Sequence, residues 1–129
     1  MEQSIILTKF KENMEKYASN FSVDALWESI KKYAKKLGMK VVYTILKLYY
    51  ITMDPNVHPA DKAIIYAALG YFILPIDLVP DFIPGGLLDD TYVLTWALNQ
   101  VQDKMTEENK VLAQQKLITW FGDVDLNDI

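Results

Sequence analysis

The sequence predicts an all-α protein, a compact bundle of about six helices around one uncharged central helix, and three observations predict it. Apolar residues recur at helical spacing almost throughout the 129 residues, and no stretch alternates apolar and polar residues between turn signals as a strand would. Breaker clusters divide the chain at Ser19-Asn20, Gly38, Asp54-Pro-Asn-Val-His-Pro59 and Gly85-Gly86. The run from Ala63 to Leu74 carries no charged side chain on any face, the mark of a helix surrounded by protein.

The elements follow in order. A first helix is expected over Ile5 to Ala18, with Ile6, Phe10, Met14 and Tyr17 on one face. Ser22 or Asp24 can cap the second, whose apolar face gathers Leu26, Ile30, Tyr33, Ala34 and Leu37 before Gly38 breaks or kinks it. A third covers Met39 to Met53 and stops at the two prolines of the following loop. Pro59 suits the first turn of a fourth, which runs to about Leu74 and is ended or kinked by Pro75. A fifth helix from about Leu87 to Val101 would bury Val93, Leu94, Ala97, Leu98 and Val101. Thr106-Glu-Glu opens a sixth, expected to dock through Val111, Leu112, Ile118, Trp120 and Phe121, with a frayed acidic tail from Gly122 to Ile129. The tyrosines at 43, 49, 50, 66 and 71 recur on apolar helices and read as packing.

Composition narrows the function classes. Hydrophobic residues at 51% and aromatics at 12% exclude wholesale disorder and supply one core, so a single helical domain over 1–129 is expected. There is no cysteine, which excludes structural disulfides and thiolate zinc or iron-sulfur sites. That usage fits a cytoplasmic protein. The opening Met-Glu-Gln-Ser-Ile-Ile-Leu has no basic region before a long apolar one, so no cleaved signal peptide is expected. All thirteen basic residues are lysine, leaving no residue for bidentate guanine reading or an arginine finger, and the net charge is -4. No nucleic-acid partner is expected. Charge is also uneven: residues 1–53 hold nine lysines against five acids, a net of +4, and residues 54–129 hold four against twelve, a net of -8. Such asymmetry can steer a partner or a membrane surface, or dock the halves on each other.

The segment Tyr71-Phe-Ile-Leu-Pro-Ile-Asp-Leu-Val-Pro-Asp-Phe-Ile-Pro-Gly-Gly-Leu-Leu-Asp-Asp90 spaces four carboxylates and three prolines through an apolar run. An unpaired buried carboxylate is costly, so each must cap amides, pair with a cation, hold a metal or reach solvent. Through Pro75-Ile-Asp77-Leu-Val-Pro80-Asp81 and Leu88-Asp89-Asp90 the segment resembles the YkvA-like family, a bacterial domain of unknown function. The resemblance implies a core region over about 50–100 with 1–49 as an N-terminal helical extension, and it implies no activity. Many members of that family are predicted membrane proteins. Here the uncharged run from Ala63 to Ile76 covers 14 positions, roughly 21 Å at about 1.5 Å per residue, against a hydrocarbon core of about 30 Å. A bundle is expected in place of a span.

Three readings are open for Asp77, Asp81, Asp89 and Asp90. In the first they are structural: Asp77 caps the turn after Pro75, and Asp89 and Asp90 sit in the first turn of the fifth helix, where the dipole favours negative charge. In the second they converge on Mg²⁺ or Ca²⁺, hard cations that take oxygen ligands, and a cation-dependent rise in melting temperature would reveal it. In the third, two of them act as acid and base. That reading lacks a Gly-x-Ser-x-Gly elbow, a phosphate-cradling loop or an arginine beside them. The one histidine, His58, reads as a loop contact or cap, since zinc or catalytic work would need an orienting carboxylate such as Asp54 or Asp61.

Lys31, Lys32, Lys35, Lys36 and Lys40 occupy one side of the second helix, opposite its apolar face and near Trp27. They are either a solvated face or a surface for anionic lipid. The expectation is a non-enzymatic interaction module without a cofactor, on the inner face of the membrane or with an unidentified protein partner. The alternative is a divalent-metal-dependent enzyme or sensor using the aspartates.

Overall fold

The computed structural model describes the backbone of residues 7, 8, 10–78 and 86–122, and the side chains of those residues apart from 20, 33–37, 74–78 and 86–91. The fold is all-α, with no strand among the described residues. Helical backbone at 7, 8 and 10–12 precedes six helices: α1 (Met14–Asn20), α2 (Val23–Leu37), α3 (Met39–Thr52), α4 (Pro59–Leu78), α5 (Gly86–Val101) and α6 (Glu107–Phe121). A single turn of 3-10 helix, Gln102–Lys104, joins α5 to α6.

The N-terminal stretch is not one continuous helix. Asn13 leaves helical geometry (φ -120°, ψ 19°) and its N–H donates to Phe10 O at 3.1 Å, three residues back. Asparagine takes such turns readily because its short side chain competes for nearby backbone groups. The turn leaves Phe10 and Tyr17 stacked, ring centroids 5.8 Å apart. At the next boundary Phe21 is extended and Ser22 is the cap, its Oγ accepting from Ala25 N at 3.0 Å. Leu26 and Ile30 of α2 are fully buried.

Gly38 separates α2 from α3 as a true break, with φ +84° and ψ 158°. Only glycine adopts that region without strain. In α3, Val42, Tyr43, Ile45, Leu46, Leu48, Ile51 and Thr52 are buried. The following loop is held by Asp54, whose Oδ1 accepts from Asn56 N at 2.9 Å, and by His58, whose Nδ1 accepts from Ala60 N at 3.0 Å. His58 thus caps α4, as its place before Pro59 suggested.

α4 runs past the expected stop. It continues through Pro75 to Leu78, because the fixed φ of proline, about -65°, is itself helical and near the end of the helix only one backbone hydrogen bond is lost. The five expected residues of α5 are all buried. The docking face of α6 is different from the expected one. Its buried row is Asn109, Ala113 and Leu117 at i, i+4 and i+8, whereas Val111, Leu112 and Ile118 are exposed, and Trp120 and Phe121 pack at the core margin. Residues 123–129, expected to fray, lie outside the described residues.

The centre is shared. α4 packs against α1, α2, α3 and α5, and α3 packs against α2, α4, α5 and α6. α4, uncharged from Ala63 to Ile76, is therefore one of a central pair. The core runs from Phe10 to Leu117, with Ile65, Ala67, Ala68, Leu69, Phe72 and Ile73 contributed by α4.

Candidate functional site

Backbone positions are described for three of the four aspartates. Asp77 lies in the last turn of α4, and Asp89 and Asp90 lie in the opening turns of α5, where the helix dipole favours carboxylates. Their side chains, and Asp81 altogether, lie outside the described residues. Among the described residues no three His, Asp or Glu side chains gather as a metal site.

The lysine surface is described in part. Lys31 and Lys32 on α2 are exposed, and Lys35 and Lys36 occupy the next turn of that helix with side chains outside the described set. Lys40 is exposed but belongs to the first turn of α3, beyond the Gly38 break, so the five lysines span two helices rather than one face. Trp27 is not spare apolar surface. It meets Tyr49 at 4.7 Å and Trp120 at 5.4 Å, edge to face, and Lys116 lies 5.4 Å from the centroids of both indoles.

Sequence reasoning missed a cleft of about 570 Å³ between the C-terminal end of α3 and the N-terminal end of α6. One wall is Tyr50, Met53 and the Asp54-Pro55-Asn56 turn, and the other is Thr106, Glu108, Asn109 and Leu112. Thr106 caps α6, its Oγ1 accepting from Asn109 N at 3.1 Å. Burial, aided by the neighbouring Tyr49, pushes the Tyr50 phenol above its ordinary pKa of 10.0.

Asn109 distinguishes this cleft. It is only 6% exposed, and its Nδ2 has no hydrogen-bond partner among the described residues. A buried amide left without an acceptor costs about 1–3 kcal/mol. Leu112 on the same wall is 39% exposed and Met53 on the facing wall 61%, so the cleft is rimmed by outward-facing apolar surface. A signal was available: one amide stands in the apolar i, i+4, i+8 row of α6, where an alanine and a leucine occupy the other two places.

A second small depression, about 120 Å³, is lined by Lys40, Val41, Thr44, Leu94 and Thr95. Elsewhere on α3, Tyr43 accepts from Gln114 Nε2 at 3.1 Å and lies under Lys47 Nζ at 4.4 Å. Burial, with Lys110 nearby, lowers the pKa of Lys47 below 10.5. The Tyr43–Gln114 bond joins α3 to α6.

Residues 61–96 match the model of a family described as a protein of unknown function (DUF1232). Neither a curated protein nor a solved structure matches the chain.

Proposed function

The segment 61–96 is thus of the YkvA-like kind, a domain of unknown function, and from that premise we propose that the chain is a non-enzymatic interaction module that docks peripherally on an anionic membrane surface. The docking residues are Lys31, Lys32, Lys35, Lys36 and Lys40. The observation that carries this reading is the division of labour on α2: Leu26 and Ile30 are fully buried in the core while Lys31 and Lys32 are exposed.

That division determines the kind of docking. With Leu26 and Ile30 of its apolar face committed to the core, the helix meets a membrane through its lysines, so the attraction is electrostatic. Each lysine near an anionic surface adds about 1 kcal/mol at ordinary ionic strength, and five together suffice for reversible attachment. Among the described residues no helix is long and apolar enough to cross a bilayer, in keeping with a peripheral mode. The inner face of the cytoplasmic membrane, rich in anionic lipid, is the matching surface.

Flotation with vesicles tests this. Binding to vesicles containing phosphatidylserine, absent with neutral vesicles and lost at high salt, is the expected result. Lys31→Glu combined with Lys32→Glu should weaken it further than either change alone. Flotation that survives high salt would mean apolar insertion, and no flotation with anionic vesicles at low salt would remove the membrane from the reading.

A further inference from the structure

We propose that the acidic segment 123–129 folds back on the lysine surface of α2 and α3 and competes there with anionic lipid. The contact rests on charge and topology, and the competition rests on membrane docking through the same lysines.

Charge is sorted along the chain in two blocks, neither of which holds a counter-charge of its own. From Ser29 to Met53 there are six lysines and no acid, and from Leu117 to Ile129 there are three aspartates, Asp123, Asp125 and Asp128, and no lysine. In the first block Lys31 and Lys40 are exposed, and neither is in an ion pair among the described residues. Like charges crowded on one surface repel each other, and an anion placed over them relieves that repulsion. The acidic block is an anion that the chain itself carries.

Topology brings the second block to the first. Tyr43 of α3 bonds Gln114 of α6, while further along α3 Met53 shares the cleft with Thr106 and Asn109, so the two helices are antiparallel. The C-terminal end of α6 therefore lies beside the N-terminal end of α3, where Lys40 stands just past Lys35, Lys36 and the Gly38 break. A second contact agrees with this placement. Trp120, in the last turn of α6, meets Trp27, one turn ahead of Lys31 on α2. The helix ends at Gly122, whose φ of +75° takes the chain out of helical geometry. The seven residues that follow reach about 23 Å when extended, against about 8–10 Å between packed helix axes. So short a tether holds its charges near the lysines at an effective concentration of about a millimolar or more. The described acids of α6 are badly placed for this role, since Glu107 and Glu108 stand in its first turn, at the opposite end of the helix.

The contact is tested first without vesicles, in the full chain at about 0.1 M salt. A nitroxide on Asn127→Cys, in a chain with no other cysteine, should broaden the backbone amide signals of Lys31, Lys35, Lys36 and Lys40 and leave those of Met53 and Asp54 sharp. Asp123→Asn, Asp125→Asn and Asp128→Asn together should remove the broadening, and so should high salt. On phosphatidylserine vesicles the same triple variant should bind about fivefold more tightly than the parent, the effect of a few exposed ion pairs. Asp103→Asn, Glu107→Gln and Glu108→Gln together remove as much charge at the other end of α6, more than a Debye length away, and should change binding by less than about twofold. Sharp signals at the four lysines overturn the proposal, as does broadening that survives the first triple variant. Broadening that fades on dilution would place the segment on a second copy and overturn it too. Equal gains from the two triple variants would reduce the effect to net charge and overturn the competition. If neither parent nor variants bind the vesicles, the membrane reading and the competition both fall, and the broadening alone then decides the contact.

Discussion

α1 and α4 meet with no space to spare, whereas α3 and α6 meet around a cleft with an unsatisfied amide. At the first junction an added Cβ on Gly70 would overlap Tyr17 O and lie 2.7 Å from Tyr17 C, so the two helices touch backbone to side-chain-free backbone. Phe10, Tyr17, Tyr71 and Trp96 close over that contact with ring centroids 4.9 to 5.8 Å apart. At the second, Met53 and Leu112 face outward and the buried Asn109 Nδ2 has no hydrogen-bond partner among the described residues. The contrast separates a surface spent on stability from one that keeps a cost. Packing at native density leaves no group unmet at the first junction, while the second sets an unmet donor beneath exposed apolar side chains.

The contrast breaks first at Gly70. Gly70→Ala gains about 1 kcal/mol of helix propensity, but the obstacle is the backbone of α1, which cannot rotate away. The cost should reach the upper end of the about 1–3 kcal/mol typical of overpacking and lower the urea midpoint. Trypsin should cut after Lys11 and Lys16 more readily as α1 is displaced. A midpoint that stays or rises would show a junction with slack. Thr106→Ala acts at the other end. Loss of the cap should cost about 1 kcal/mol and speed exchange of the Asn109 backbone amide, while leaving proteolysis near α1 unchanged. If both variants loosened both regions alike, the two junctions would be one cooperative unit.

The smallest effect is on the alkaline side. The raised pKa of Tyr50 means that the fold favours the neutral phenol, so its stabilising contribution is complete below about pH 10 and is lost as pH rises through the folded value. Lys47 has the opposite sign. Its lowered pKa means that the fold gains stability as the ammonium gives up its proton, and this gain is lost as pH falls. The two oppose each other in one window. Tyr50→Phe should therefore make the urea midpoint fall less between about pH 9 and about pH 11 than in the parent chain. An identical slope would mean that Tyr50 ionises as freely in the fold as outside it.

Much of the fold was legible because breakers and caps are local chemistry. Ser22, Gly38, the Asp54–Pro59 loop and Thr106 each act within a few residues, and each falls at an observed boundary. The face of α5 was legible from its period alone. What escaped depends on partners distant in the chain. Gly70 reads as one more small residue in an apolar run, and its role is set by Tyr17 on another helix. The face of α6 was misread because the apolar residues at 111, 112 and 118 outnumber those in the buried row, and only the packing against α3 selects Ala113 and Leu117. The lysine surface was visible as a charge pattern, but its division between two helices follows from one dihedral at Gly38.

That dihedral has a consequence for handedness. Nothing lies within 4 Å of a Cβ placed at position 38, so no neighbour obstructs a side chain there. Yet with their signs inverted, the backbone angles of Gly38 fall in the extended region natural to L residues. The joint between α2 and α3 is thus a point at which the chain takes a mirror-image step. A D-alanine would fit it and an L-alanine would strain it, although both have the same volume and the same empty space around them.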